Sequence, residues 1–278
     1  MFKDIDIDNL VDIVMKNNSM QNIPLQKYYK LKWFLDALKK DRFTFQKPSN
    51  WDDPFEDFMS KLVNHSRYSY ANKLNISDGF YAMSTISKKS ECYAMWKNFA
   101  DSNGVLIYTS SKKIVKSMIK YVLDNKDWLK NRNLYPGNTD IANELSGAIK
   151  INKVRYLTDE KIADCFKSAT DGPQFDYYNL TFKMLSIKKK EYDYESEYRV
   201  FLVPELLKIK EEKFLHIGYF KEAIDKIVLS PMATDLRVKR LSSILTRRYN
   251  FKEDNIEKSH LYDIEHFKKK YKLQKHMP

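Results

Sequence analysis

Glycine is scarce in this chain. Only six occur in 278 residues, at positions 79, 104, 137, 147, 172 and 218. No two stand a few residues apart, so none can build a dinucleotide fingerprint, a Walker loop or a nucleophile elbow. Each of these needs close glycines to bring backbone amides to phosphate or to turn the chain sharply. A Rossmann enzyme, a P-loop ATPase and an α/β-hydrolase are therefore poor readings. Cysteine is scarcer still: Cys92 and Cys165 stand alone, which excludes a zinc ribbon and a disulfide framework and fits a reducing cytoplasm. The five histidines form no H-E-x-x-H, and His260 and His266, flanking Glu265, are six apart, a poor spacing for one helix face. No run approaches the ~20 apolar residues of a bilayer helix. Met1 to Asp12 carries four aspartates and no apolar segment, so it does not read as a secretory signal. Carboxylates, hydroxyls and cations remain as the chemical tools.

Aromatic residues are abundant. With 16 Phe, 19 Tyr and 4 Trp, and 43% hydrophobic residues overall, the chain can fill one sizeable core or two modest ones, and its composition argues against intrinsic disorder. The formal charge is +12. Lysine dominates the basic residues and arginine, the better phosphate fork, is rare. Residues 235–278 supply half of the net charge. Arg237, Lys239, Arg240, Arg247 and Arg248 fall on one expected helix, and Lys268, Lys269, Lys270, Lys272 and Lys275 form a tail. Such a segment reads either as a solvated surface or as a face for RNA or DNA.

Apolar periodicity places helices at 6–17, 31–40, 91–100, 111–123, 159–167, 175–187 and 235–248. Strands are expected at 25–29, 43–46, 79–84, 105–109, 151–157, 197–203, 214–217 and 224–230, of which 197–203 has the best alternation. Residues 125–147 are polar and Asn-rich and read as an insertion or long connection. The expected fold class is α+β. A helical element at 1–23 precedes a main domain at 24–250, and a basic C-terminal segment follows at 251–278.

Three constellations can carry chemistry. The first is Tyr192-Asp193-Tyr194-Glu195-Ser196-Glu197-Tyr198-Arg199, preceded by Lys188. On a strand Glu195, Glu197 and Arg199 share one face. A carboxylate pair there suits cleavage of a glycosidic bond, because its charge stabilises an oxocarbenium-like transition state. An exposed edge strand with a Glu–Arg ladder is the bland alternative. The second is Trp51-Asp52-Asp53-Pro54-Phe55-Glu56-Asp57, either a metal-binding or loop-orienting turn or a capped helix start. The third is Met83-Ser84-Thr85-Ile86-Ser87, a strand end whose hydroxyls can bond a ligand or a catalytic Glu.

In order, these pieces resemble the bacterial domain-of-unknown-function family 2971. The likeness rests on Leu25-Gln26-Lys27-Tyr28, Asp52-Asp53-Pro54-Phe55-Glu56, Ser84, Met95-Trp96, Ala100-Asp101, Gly104, Lys188, Tyr192 and Tyr194-Glu195-Ser196-Glu197-Tyr198-Arg199. It spans about residues 24–232. Asp52 stands where that pattern has Asn, Gln26 where it has Tyr, and Tyr192 where it has Trp. More distantly, a first strand with a polar residue, a middle strand ending in Ser and a later strand opened by Glu-x-Glu resemble the ADP-ribosyltransferase layout.

That second resemblance implies a pair of small mixed sheets flanked by helices, with NAD as substrate. It implies Glu197 as the catalytic acid and Glu195 as the group that orients or deprotonates the acceptor. Lys27 or Tyr28 would hold NAD, Lys27 replacing the usual Arg or His. Ser84 would support the pocket, and Lys188 and Arg199 would face diphosphate or acceptor, with Asp53 beside the bound dinucleotide. The implied settings are toxin or phage-defence systems, with nucleic acid or protein as acceptor, an antitoxin protein as a partner and no membrane. Two alternatives stay open. One is a metal-dependent nuclease using Asp53, Glu56, Glu195, Glu197 and Lys188 around Mg²⁺. The other is a non-catalytic module binding nucleic acid or protein.

Overall fold

A computed structural model describes residues 6–51, 55–56, 79–88, 90–125, 138–170, 177–207 and 209–271. Its elements are α1 (Ile7–Asn17), β1 (Pro24–Tyr29), α2 (Leu31–Lys40), β2 (Phe43–Gln46), β3 (Tyr81–Ile86), α3 (Tyr93–Phe99), β4 (Val105–Ser110) and α4 (Ser111–Asp124). Next come α5 (Asn138–Ala148), β5 (Ile149–Lys153), β6 (Arg155–Leu157), α6 (Asp159–Thr170), α7 (Tyr177–Met184), β7 (Ile187–Lys189) and β8 (Glu197–Leu202). The chain continues through β9 (Phe214–Ile217), β10 (Lys226–Leu229), α8 (Asp235–Tyr249), β11 (Ile256–Lys258) and α9 (Ile264–Lys270). The fold is α+β, as expected. Among the described residues, no helix is long and apolar enough to cross a membrane.

The helix ends follow local chemistry. Asp6 caps α1 by accepting from the backbone N–H groups of Asp8 and Asn9, and Leu10, Val11, Val14 and Met15 then share its buried side. Ser110 caps α4 and Thr234 caps α8. Asp41 and Asn250 end α2 and α8 in the left-handed conformation, which short polar side chains tolerate.

The sheet differs from two separate small ones. Among the described residues, nine strands form one sheet that forks at β3. One edge of β3 pairs along its length with β8, from Tyr81↔Leu202 to Ile86↔Glu197, and β5 pairs beyond β8. Two strands share the rest of β3's pairing: β1 joins at Gln26↔Ile86 and β2 at Gln46↔Ala82. The β1 arm continues through β4 and β10 to β11, and the β2 arm to β9. Among the described residues, only β10 and β11 run parallel within it. A separate parallel pair, β6–β7, lies beside the 3-10 turn Lys190–Glu195.

Strand alternation divides β8 between two environments. Val200 and Leu202 enter the main core, which also holds α1, α4 and α5, and Tyr198 packs against it. Glu197, Arg199 and Phe201 face the other way, and Phe201 packs with Phe80, Ala82 and Phe182. Leu10, Val11 and Val14 of α1 belong to the main core, and β11 pairs with β10. Within the expected insertion, α5 places Ile141, Ala142 and Leu145 in that core, while 126–137 lies outside the described residues. The expected strand 151–157 is two strands: the Val154 N–H still bonds the Glu197 carbonyl at 3.0 Å, in register with β5–β8, but the next N–H, that of Arg155, turns to the Ser186 carbonyl at 2.8 Å and joins β7.

Candidate functional site

A cleft of about 440 Å³ opens where the sheet forks. Its walls come from β1 (Gln26, Lys27, Tyr28), β3 (Ser84, Ile86) and β8 (Glu197, Arg199), with Trp51, Glu56, Lys188, Tyr192 and Glu195 closing one side. The sequence offered these groups as separate short motifs. The fork brings them together.

Glu197 is at the centre of the site. It is 4% exposed, so its charge must be matched by partners. Oε1 accepts from Ser84 Oγ at 2.6 Å and from Arg199 Nε at 2.9 Å. Oε2 accepts from Arg199 Nη2 at 3.1 Å, and Lys188 Nζ stands 3.6 Å from it. The backbone N–H of Glu197 donates to the Tyr156 hydroxyl at 2.8 Å, which fixes the start of the strand. Burial opposes ionisation of Glu197, but Arg199, Lys188 and the Ser84 hydroxyl outweigh it and hold the carboxyl down to about 2. Glu197 is thus an anion at every physiological pH.

Arg199 is 1% exposed, and all three of its nitrogens have partners. Besides Glu197, Nη1 donates to the Leu185 carbonyl at 2.6 Å, and Nη2 also bonds Glu56. The Trp51 ring covers the guanidinium at 4.4 Å. Arg199 was expected to face diphosphate or acceptor. Its geometry makes it a positioning residue for Glu197, because four of its five N–H groups are taken by Glu197, Glu56 and the Leu185 carbonyl.

Lys188 likewise turns inward. Its Nζ donates to Glu195 Oε2 at 2.7 Å and lies 3.8 Å from Glu56 Oε1, with Tyr192 stacked 4.7 Å away. Burial weakens its charge, yet the three carboxylates prevail and raise its pKa. Glu56 and Glu195 are pushed up by burial, against the pull of Arg199 and Lys188.

The expected same-face arrangement of Glu195 and Glu197 has a different origin. Ser196 is in the left-handed conformation, with φ 51°, so Glu195 belongs to the 3-10 turn and β8 begins at Glu197. The two carboxylates converge through Lys188 rather than through strand alternation. The exposed-edge alternative for this segment fails, because β8 lies between β3 and β5 and buries both glutamates.

Lys27 and Ser84 meet across the fork. Met83, Ser84 and Thr85 fall between the positions where β1 and β2 join β3. At this gap the Ser84 carbonyl accepts from Lys27 Nζ at 2.7 Å. Burial pushes the Lys27 ammonium down to about 8, against the attraction of Glu197. Tyr28 also lines the cleft, but its hydroxyl accepts from the Cys92 N–H at 3.1 Å and its ring packs edge-on against Trp96 at 5.0 Å. Asp53 lies outside the described residues.

Several site residues had no signal in the sequence. Tyr156 and the Leu185 carbonyl are supplied by distant segments, and Trp51 was legible only as part of a turn. Glu56, expected as a metal ligand or as an acidic residue in a helix's first turn, is an anionic partner of Arg199.

For a metal, the central carboxylates are a poor fit, because Lys188 and Arg199 already occupy the space among them. Among the described residues, the one His/Cys/Asp/Glu group with mutually close ligand atoms is His260, Asp263 and His266, far along the chain and exposed. Its two imidazoles stack in parallel, 3.8 Å apart at 11°, so their lone pairs do not converge on one point. Asp263 already bonds His260 and caps α9.

Comparisons of the chain with protein-family models, with curated proteins and with solved structures found no match.

Proposed function

We propose that this protein cleaves the nicotinamide–ribose bond of NAD and transfers ADP-ribose, with Glu197 as the catalytic carboxylate. The observation that carries this reading is the Ser84–Glu197–Arg199 arrangement at the fork: a buried anion, oriented from two sides, on the wall of an open cleft. Such an anion stabilises a cation that develops in the transition state more than it stabilises the ground state. The ADP-ribosyltransferase-like layout calls for a polar residue on a first strand, a Ser on a middle strand and a later Glu-x-Glu, and Lys27, Ser84 and Glu195 with Glu197 would fill those places.

Glu197 Oε1 is saturated by Ser84 and Arg199, while Oε2 holds one bond at 3.1 Å. A carboxylate oxygen accepts two, so Oε2 can take a ribose hydroxyl. The C–N bond then breaks with its electron pair going to the nicotinamide nitrogen, which leaves neutral. The ribosyl cation forms against the Glu197 charge. The acceptor's nucleophile bonds the anomeric carbon and passes its proton to Glu195, whose basicity is raised by burial. Lys188 holds Glu195 in place, and Lys27 lines the same cleft as a cation for the dinucleotide's diphosphate. The exposed basic residues of α8 suit a nucleic acid acceptor, and the resembled families place such activity in toxin or phage-defence systems.

The test is release of nicotinamide from NAD by the purified full chain. Glu197→Gln keeps the shape and removes the charge, and is expected to lower the rate by about 10²–10³-fold. An unchanged rate removes Glu197 from the chemistry. Strand cleavage of RNA or DNA that EDTA abolishes, without nicotinamide release, favours the nuclease instead.

A further inference from the structure

Gln26 lines the cleft from β1 and is 1% exposed. Its Nε2 donates to the Lys88 carbonyl at 3.2 Å. Its Oε1 has no hydrogen-bond partner among the described residues. Buried side-chain oxygens nearly always have one, because removing water from a carbonyl without a replacement donor is destabilising. Turning the amide over does not help: Oε1 would then meet the Lys88 carbonyl, acceptor against acceptor. One other oxygen is in this state, Thr109 Oγ1, and Thr109 does not line the cleft. Around Gln26 the cleft is apolar and aromatic, with Tyr28, Ile86 and Met95. A flat heteroaromatic ring suits such walls, and a single polar group there sets its orientation.

We propose that the end of the cleft beside Gln26 is a subsite for a primary amide or exocyclic amine on a planar ring, with Gln26 Oε1 accepting its N–H. This rests on the dinucleotide reading above and deepens it. NAD carries the required group twice, as the nicotinamide carboxamide and as the adenine amino group. Gln26 selects for whichever of the two docks there.

Isothermal titration of the full chain decides this, with three probes: NAD, its nicotinic acid analogue and its hypoxanthine analogue. The first analogue replaces the carboxamide by a carboxylate, and the second lacks the adenine amino group. Wild type is expected to bind one of them about tenfold or more weakly than NAD, since a site built to bond an N–H rejects the ligand without it. The analogue that fails identifies the end that docks. Gln26→Met is expected to erase that preference while leaving the melting temperature of the ligand-free protein unchanged or raised, because the orphan oxygen is gone. Gln26→Leu serves the same purpose if the Met variant does not fold. Equal affinities for all three probes in wild type overturn the subsite, as does a preference that survives both substitutions, and either leaves the dinucleotide reading standing. Failure of wild type to bind NAD at all overturns both.

Discussion

Removing Arg199 should be the most damaging single substitution at the site, for reasons the geometry makes quantitative. Its guanidinium bonds Glu197 twice, at 2.9 and 3.1 Å, and also bonds Glu56 and the Leu185 carbonyl. Arg199→Met keeps the packing under Trp51 but leaves two buried carboxylates without their main counter-charge. Breaking a buried pair from one side costs about 3–5 kcal/mol. The titration of Glu197 gives a consistent figure. It is held at about 2, well below the ordinary 4.5 of a glutamate, which at about 1.4 kcal/mol per pH unit is worth about 3–4 kcal/mol. Because this carboxyl is depressed in the folded state, its stabilisation is fully present above pH 4.5 and is lost as pH falls toward 2. Chemical denaturation at pH 7 should therefore show Arg199→Met about 3 kcal/mol or more below wild type. The gap should narrow as pH falls from about 5, since Glu197 in the variant takes up a proton and no longer needs the cation. Adding Glu197→Gln to Arg199→Met should recover part of the loss, with a coupling energy of about 1–3 kcal/mol. A single variant within about 1 kcal/mol of wild type at pH 7, or a double variant as unstable as the two singles summed, refutes this account of the network.

Two further outcomes follow from the fork and its surroundings. Lys27 is a base whose pKa is lowered to about 8, so the folded protein carries its charge at a penalty below pH 8, and that penalty fades between about 8 and 10.5. Because Lys27 is half-buried, the effect is about 1–2 kcal/mol after solvent screening. Wild type should gain that much on Lys27→Met between pH 7 and pH 10 in denaturant midpoints, and parallel pH curves would rule it out. Gly104 packs where a Cβ would lie 2.5 Å from Ala100 Cβ and 2.8 Å from the Tyr29 carbonyl oxygen. Gly104→Ala should lower the melting temperature through a loss of about 1–3 kcal/mol, and an unchanged melting curve contradicts the close approach of α3's end to β1.

Much of the fold is local and was readable. The spans 31–40, 43–46 and 214–217 match the expected elements residue for residue, because apolar period and end chemistry are properties of neighbouring residues. The same locality identified the Glu-x-Glu-x-Arg block and Ser84 as chemically useful, while Lys27 entered only through the resemblance. It also excluded phosphate loops and disulfide frameworks by their missing residues. Elements with weak local signals were not readable. β7 and β11 are three residues each and exist through their partners, and α9 lies in what read as a basic tail.

Only the tertiary structure decided which charges are buried and which face the cleft. Ser84 and Glu197 are 113 residues apart in the chain, and Glu56 and Arg199 are 143 apart. Whether β8 was an exposed edge or an inner strand depended on the pairing of β3 and β5 with it, which no window of sequence around Glu197 contains. Burial in turn makes an ionic pair obligatory rather than incidental, because a lone charge away from water is too costly to keep. The residues with reactive side chains were therefore visible in the sequence, while which of them is a buried anion, an internal counter-ion or a group lining the cleft followed from who their neighbours are in space.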